Sequence, residues 1–119
     1  MSGLFRSSVN FTWRFSGAVD TVTWGIKSSR WPGQIDSDQR LVILGKTGQV
    51  SVTVPQAYKD RVSGFRTSDA SSGQAVFTLT NITRNDETYY GCQITPDGPH
   101  SSAFDFVQLV VAGVSLKII

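Results

Sequence analysis

The sequence is poor in reactive and charged side chains. It has one cysteine and one histidine in 119 residues, and Asp, Glu, Lys and Arg together make up 17%. A single cysteine excludes a disulfide within the chain. The net charge of +2, without a run of Lys or Arg, gives no reason to expect nucleic-acid binding. Since the sequence also has no cluster of metal-ligating residues, we expect no metal, no cofactor and no enzymatic activity.

Long apolar runs are absent as well. Residues 1–16 are interrupted by Arg6 and Arg14 and so lack the apolar core of a signal peptide. Residues 104–119 contain Asp105 and are shorter than the roughly 18 residues that a membrane span needs. We therefore expect a segment of a longer protein whose membrane anchor lies outside it. The length allows one core, which we assign to a domain at 1–111, with 112–119 as the end of the last strand or a linker to a following domain.

Short alternating runs separated by turn residues fill the chain. In residues 9–15 and 22–26, apolar and polar side chains alternate, which predicts two half-buried strands. We interpret Asp36-Ser37-Asp38 as a turn and residues 68–74 as a polar loop. No segment has helical periodicity, and many short strands with regular turn signals predict an all-β sandwich. Further strands are predicted at 40–44, 49–54, 61–67, 75–79, 88–95 and 104–111.

The run from Asp86 to Cys92 is the most informative stretch of the sequence. Tyr90 and Cys92 are two residues apart, so in a strand both side chains point to the same face. Trp24 lies in an earlier predicted strand. This pattern resembles the E–F corner and strand F of a variable-type (V-set) immunoglobulin domain, with Trp24 as the buried tryptophan of strand C.

The resemblance covers about residues 4–111. It implies a Greek-key β-sandwich in which the Tyr90 hydroxyl ties the E–F corner to nearby backbone and Cys92 points into the core. Arg61, at the start of strand D, is expected to pair with the corner carboxylate of Asp86. The spacing of the runs at 40–44 and 49–54 leaves room for the additional strands C′ and C″.

The sequence departs from this pattern at strand B. The family has a cysteine about eleven residues before the strand C tryptophan, where counting back from Trp24 gives Trp13. We expect Trp13 to fill the space against Trp24 and Cys92, because a buried indole offsets part of the lost disulfide. Cys92 is expected to be a packed, inert thiol. The one histidine, His100, lies in the predicted F–G loop, away from the inward face where a catalytic base would be needed.

Two sequons point to an extracellular location. Asn10-Phe11-Thr12 and Asn81-Ile82-Thr83 both have the acceptor pattern for N-glycosylation, and each also occurs by chance. Asn10 alternates with inward residues and Asn81 lies beside the E–F corner, so both are expected at the surface. A glycan on Asn10 would shield the sheet that contains strand B, and a partner would then use the opposite sheet.

That opposite sheet, with strands C, C′, F and G, is where V-set domains generally bind partners. Alternation places Lys27 and Gln93 on its outer surface, together with Phe104 and Phe106. Exposed phenylalanines would form an apolar patch that marks an interface, and Trp31 in the C–C′ turn is a further candidate anchor. The alternative is that both phenylalanines cover the open end of the sandwich and Trp31 folds back on the sheet. A shift of one residue in the strand register would turn outward side chains inward and so exchange these two interpretations.

A narrower resemblance concerns allorecognition receptors of colonial cnidarians. It rests on the missing strand B cysteine, the retained Cys92 and the phrase from Thr83 to Thr88. The resemblance implies a cell-surface domain that binds the same domain on an opposing cell. A heterophilic receptor or ligand domain and a structural spacer domain are the alternative functions.

Overall fold

A computed structural model describes residues 2–4, 6–46, 49–52, 55–68, 72–99 and 101–112. Within these ranges the chain forms strands and two single turns of 3-10 helix, at Gln56–Tyr58 and Arg84–Asp86. The strands are β1 Ser2–Leu4, β2 Val9–Ser16, β3 Val19–Lys27, β4 Ile35–Leu44, β5 Val50–Val52, β6 Val62–Ser68, β7 Ser72–Leu79, β8 Tyr89–Pro96, β9 Ala103–Gln108 and β10 Val110–Ala112.

Two sheets form the layers of the sandwich. One has the order β5-β4-β3-β8-β9, which corresponds to strands C″, C′, C, F and G of a V-type domain. The other has the order β2-β7-β6, which corresponds to strands B, E and D. The short β1 pairs in parallel with β10. Pairing of β3 with β8 sets Trp24 beside Cys92 and Gly25 beside Gly91, and this register fixes which side chains face outward.

An aromatic cluster occupies the centre of the core. Trp24, Tyr90, Phe11 and Phe77 are all fully buried, and Cys92 is buried beside them. The ring centroid of Trp24 lies 5.3 Å from that of Phe11 and 5.3 Å from that of Phe77. Apolar burial and ring packing of this kind stabilise the sandwich in the absence of a cross-link.

The position of Trp13 differs from the expectation. Its indole is half-buried and stacks on Phe11, and its Nε1 donates a hydrogen bond of 2.8 Å to Asp105 on β9. The rings packed on Trp24 are those of Phe11, Phe77 and Tyr90. At this edge of the core the indole N–H of Trp13 has Asp105 as its acceptor, so its polar atom is paired near the surface.

Two predicted irregular segments are strands. Residues 36–38, interpreted as a turn, lie within β4, which begins at Ile35. In the predicted loop at 68–74, Ser68 ends β6 and residues 72–74 belong to β7, whereas residues 69–71 lie outside the described residues. Polar residues formed strands at both places because the sheet pairing overrode their weak local preference.

The E–F corner is a network of hydrogen bonds in which polar side chains pair with one another. We use this name for Arg61, Thr83, Asp86, Tyr90 and Tyr58. The Arg61 guanidinium pairs with the Asp86 carboxylate, which also accepts the Thr83 backbone N–H at 2.8 Å. The Tyr90 hydroxyl donates to the Asp86 carbonyl at 2.7 Å, so the Tyr58 hydroxyl, 3.1 Å away, donates to Tyr90. Burial raises the pKa of both tyrosines, which keeps these hydroxyls protonated.

The segment predicted as a strand end or linker is only partly described. Ala112 ends β10, and residues 113–119 lie outside the described residues. In the described ranges, no helix has the length and apolar character that a membrane crossing requires.

Candidate partner-binding face

The outer surface of the five-stranded sheet carries the predicted partner-binding residues. Because Trp24 and Cys92 point into the core, their neighbours in sequence point outward. On β9, Phe104 lies opposite Gln93 and Phe106 lies opposite Gly91. We use the name CFG face for the outer-surface side chains of Lys27, Tyr89, Gln93, Phe104 and Phe106.

Two phenylalanines form the centre of this face. The rings of Phe104 and Phe106 are stacked, with centroids 6.1 Å apart and an interplanar angle of 5°. The ring of Phe106 lies directly over Gly91, where a Cβ atom would be 2.3 Å from it. Phe104 is 37% exposed. The pair therefore presents apolar surface to solvent and does not cover the end of the sandwich.

Lys27 places a cation beside these rings. Its Nζ lies 5.0 Å from the ring centroid of Tyr89 and 5.6 Å from that of Phe106. A cation within about 6 Å of a ring centroid is attracted by the negative face of the ring. The CFG face is thus an apolar patch with one positive charge held among its aromatic rings.

The sequence prediction missed one contributor to this surface and one residue beneath it. Tyr89 was not proposed as a contact, although it is 45% exposed and lies beside Lys27. Ile35 is buried and covers Gly25, where a Cβ atom would be 2.6 Å from its side chain. No sequence signal indicates Ile35, because the β3–β4 register shifts on both sides of Gly25. Thr23 precedes Trp24 on β3, so alternation places it on the outer surface, but it is only 6% exposed.

Charges of both signs line a cleft at the β3–β4 end of the sheet. The cleft measures about 350 Å³ and is lined by Lys27 and Arg30 as well as by Asp36 and Asp38. Two carboxylates and two cations therefore lie close to one another beside the CFG face. Such a surface is neither strongly basic nor strongly acidic.

Trp31 lies in the connection between β3 and β4. Its side chain is 58% exposed, and its backbone N–H donates to the Ser28 hydroxyl at 2.9 Å, which fixes the turn. The indole therefore does not fold back on the sheet. The turn holds it beyond the end of β3, next in sequence to Arg30, which lines the cleft.

Both predicted glycosylation sites are exposed. Asn10 lies on β2, and its Oδ1 accepts a hydrogen bond of 2.8 Å from the Thr78 hydroxyl. Asn81 precedes the E–F corner with a positive φ of 51°, and its Oδ1 lies 3.4 Å from an Arg6 nitrogen. In both residues the amide oxygen accepts a hydrogen bond and the side chain is accessible, so neither position would place a glycan in the core.

Cys92 is the one cysteine and lies in the core. Burial, and then the nearby Asp105, raises the pKa of its thiol to about 12. A thiol with this pKa is protonated at neutral pH and is a poor nucleophile. His100, the one imidazole, lies outside the described residues. Among the residues that the structure describes, no three His, Cys, Asp or Glu side chains group together as metal ligands.

Two similar solved structures identify the fold. A chain named "Tim-1" matches with a TM-score of 0.69 and 17% identity over 98% of this chain and 94% of that chain. Human T-cell immunoglobulin and mucin domain protein 1 matches with a TM-score of 0.65 and 22% identity, over 92% and 94%. No family model and no curated protein matches the sequence. The predicted immunoglobulin V-type β-sandwich without an intersheet disulfide is confirmed.

Proposed function

We propose that this chain is an extracellular recognition domain that binds a second copy of itself through the CFG face. The observation that carries the proposal is the stacked pair of Phe104, which is 37% exposed, and Phe106, which is half-buried, with Lys27 and Tyr89 beside it. Aromatic side chains are enriched in protein–protein interfaces and supply much of their binding energy. Gln93, opposite Phe104, adds an amide that can donate and accept hydrogen bonds at the edge of the patch.

The distribution of charge favours a second copy as the partner. In a two-fold dimer the same surface lies on both sides, so it must be complementary to itself. Lys27 and Arg30 lie close to Asp36 and Asp38, so a two-fold rotation can bring the cations of one copy to the carboxylates of the other. A face of one sign would repel its own copy.

The extracellular location is supported by the two sequons and by the V-type sandwich. Asn10 and Asn81 are both exposed, as an N-glycosylation acceptor requires. Membrane anchoring by a part of the protein outside this segment belongs to the same proposal. So does the self-recognition between cells that the resemblance to cnidarian allorecognition receptors implies.

Analytical ultracentrifugation from micromolar to millimolar concentration tests the proposal. The unmodified chain is compared with the double variant Phe104→Ser/Phe106→Ser. Phe65→Ser is the matched control, because Phe65 is 55% exposed on β6 of the other sheet. We expect a concentration-dependent dimer that the double variant loses and the control keeps.

Two outcomes would contradict homophilic binding. Equal loss of dimer in Phe65→Ser would indicate nonspecific apolar association. A monomer at every concentration would favour the heterophilic receptor function, in which the CFG face binds another protein. A spacer domain is disfavoured by the exposed rings of Phe104 and Tyr89, because a spacer is expected to be polar on both outer faces.

A further inference from the structure

Strand β2 is an unusually open edge. Among the described residues it pairs on one side with β7, and no strand pairs with its other side. In a V-type sandwich the corresponding sheet contains a further strand, A, beyond strand B. The short β1 does not fill that place, because it pairs with β10 of the opposite layer.

The edge of β2 lacks the usual protection against strand addition. Natural sheets protect their edges with short strands, prolines, bulges or outward charges. β2 is eight residues long without proline, and its one charged residue, Arg14, hydrogen-bonds Gln74 on the paired strand β7. By contrast, the edge strand β5 is three residues long, and the edge strand β9 carries Asp105 near its middle.

The space beside this edge is also open. A cleft of about 210 Å³ between the two sheets is lined by Phe11, Thr12, Trp13, Asp105 and Val107. Among the described side chains that line this cleft, one hydrogen bond crosses from one sheet to the other, from Trp13 to Asp105. An extended chain could therefore pair with the free backbone of β2 and cover this cleft, as in β-strand addition.

The sequon Asn10-Phe11-Thr12 lies on this same strand. The side chains of Asn10 and Thr12 are both exposed and point to the same outer face. The Thr78 hydroxyl donates to the Asn10 Oδ1 at 2.8 Å, which orients the amide, and among the described residues Nδ2 has no hydrogen-bond partner. Nδ2 is the atom that receives an N-linked sugar.

We infer that an N-linked glycan on Asn10 covers the flank of β2 and prevents a further strand from adding to this edge. The inference depends on the proposed extracellular location. Nδ2 of Asn10 forms a bond to C1 of the first N-acetylglucosamine of a lipid-pyrophosphate-linked oligosaccharide. The C1–O bond to the pyrophosphate breaks, the lipid pyrophosphate leaves, and Nδ2 loses one proton. A side chain on an adjacent strand would lie about 5 Å from the Asn10 side chain, where the first sugar stands.

The test uses the Phe104→Ser/Phe106→Ser variant as the parent, so that association through the CFG face does not interfere. The chain is secreted from glycosylating animal cells, and peptide mass analysis measures glycan occupancy at Asn10. Thr12→Ala and Thr12→Lys both remove the sequon, but only Thr12→Lys adds a charge to the edge. We expect occupied Asn10 in the parent and about tenfold tighter self-association in Thr12→Ala, with Thr12→Lys as monomeric as the parent.

Three results would overturn the inference. These are an unmodified Asn10, a Thr12→Ala variant as monomeric as the parent, and equal association of the Ala and Lys variants. Asn10→Gln repeats the test if Thr12→Ala does not fold, and Asn81→Gln, which removes the other sequon, should leave association unchanged. Since the parent has lost the CFG phenylalanines, this inference and the proposed homophilic binding through the CFG face can fail independently.

Discussion

At the E–F corner, tyrosine and charged side chains pair with one another in or near the core. On the CFG face an exposed tyrosine and a half-buried lysine lie beside two phenylalanines. At the corner, Asp86 is 3% exposed and Tyr90 is fully buried, with partners for the carboxylate and the hydroxyl. On the CFG face, Tyr89 is 45% exposed, although it directly precedes Tyr90 in the sequence. Adjacent tyrosines thus separate a stabilising site from a candidate binding site, because neighbours in a strand point to opposite faces.

The difference predicts that the corner controls stability and the face controls association. Breaking a buried ion pair leaves an unpaired charge, which is costly. Polar substitution of an exposed ring removes little packing within the fold but removes contact area for a partner. The variants below break or sharpen this comparison, in order of decreasing effect on stability.

Asp86→Ala is expected to have the largest effect. It leaves Arg61 without its carboxylate and the Thr83 N–H without an acceptor, at an expected loss of about 3–5 kcal/mol in the free energy of unfolding. Urea unfolding measures this loss. Phe104→Ser/Phe106→Ser should unfold at nearly the urea midpoint of the unmodified chain. Equal losses in the two proteins would refute the division between corner and face.

Alkaline pH should destabilise the fold through Cys92. The thiol has an ordinary pKa of 9.0 and a folded pKa of about 12, so the folded state retains the proton over a wider pH range. The stabilisation is therefore complete below pH 9 and decreases as the pH rises toward 12. Unfolding free energies at pH 8 and 10 measure the slope. Cys92→Ala should reduce it, and Tyr58 and Tyr90, whose pKa values are also raised, should contribute to the slope that remains at higher pH. An unchanged slope in Cys92→Ala would be incompatible with this assignment.

Gly91→Val connects the two regions, because Gly91 lies between Tyr90 and Cys92 in sequence but beneath Phe106 on the CFG face. A Cβ at Gly91 would be 2.3 Å from the Phe106 ring, so the ring must move. We expect loss of self-association with a destabilisation of about 1–3 kcal/mol. Sedimentation and urea unfolding on the same sample separate the two effects. If dimerisation persisted at full strength, the position of Phe106 would not matter for binding.

Trp13→Phe should have a smaller effect. It keeps an aromatic ring against Phe11 but removes the hydrogen bond to Asp105, which is expected to cost about 0.5–1.5 kcal/mol. Asp105→Asn is the matched variant, since an amide oxygen can still accept from the indole N–H. A loss in Trp13→Phe as large as that in Asp86→Ala would show that Trp13 replaces the disulfide as a main core element.

Lys46→Gln should have the smallest effect on stability. Lys46 pairs with Asp97 at 2.7 Å between two surface loops, and this hydrogen bond and the charge of Asp97 raise the lysine pKa. The pair is exposed, so water and salt screen it. We expect thermal unfolding of the variant to match the unmodified chain within error, at low and at high salt. A clear loss at low salt would show that loop charges matter as much as the corner.

Sequence patterns predicted the local features of both regions well. Alternation correctly placed Phe104 and Phe106 outward and Tyr90 and Cys92 inward, because side-chain direction in a strand follows from backbone geometry. The pairing of Arg61 with Asp86 came from the family resemblance, and the structure contains it.

Features that depend on contacts between distant segments could not be predicted. The spacing from Trp24 back to strand B assigned Trp13 to the centre of the core, but Phe11 lies there instead. A spacing in the sequence contains no information about a distant hydrogen-bond acceptor such as Asp105. The cover of Gly25 by Ile35 depends on register shifts between β3 and β4. Register is a property of a pair of strands, so the sequence of one strand alone does not show it.

The sequence by itself determined the fold class, the absence of a disulfide and the direction of the strand F and strand G side chains. These follow from composition and from the two-residue period of a strand, which are local properties. Tertiary structure decided that Phe106 covers Gly91, that Lys27 lies among aromatic rings, and that Asn10 lies on a strand with an edge that no described strand pairs. Each of these depends on how strands far apart in the chain pair and stack, because register, bulges and missing neighbours exist only once the sheets have formed.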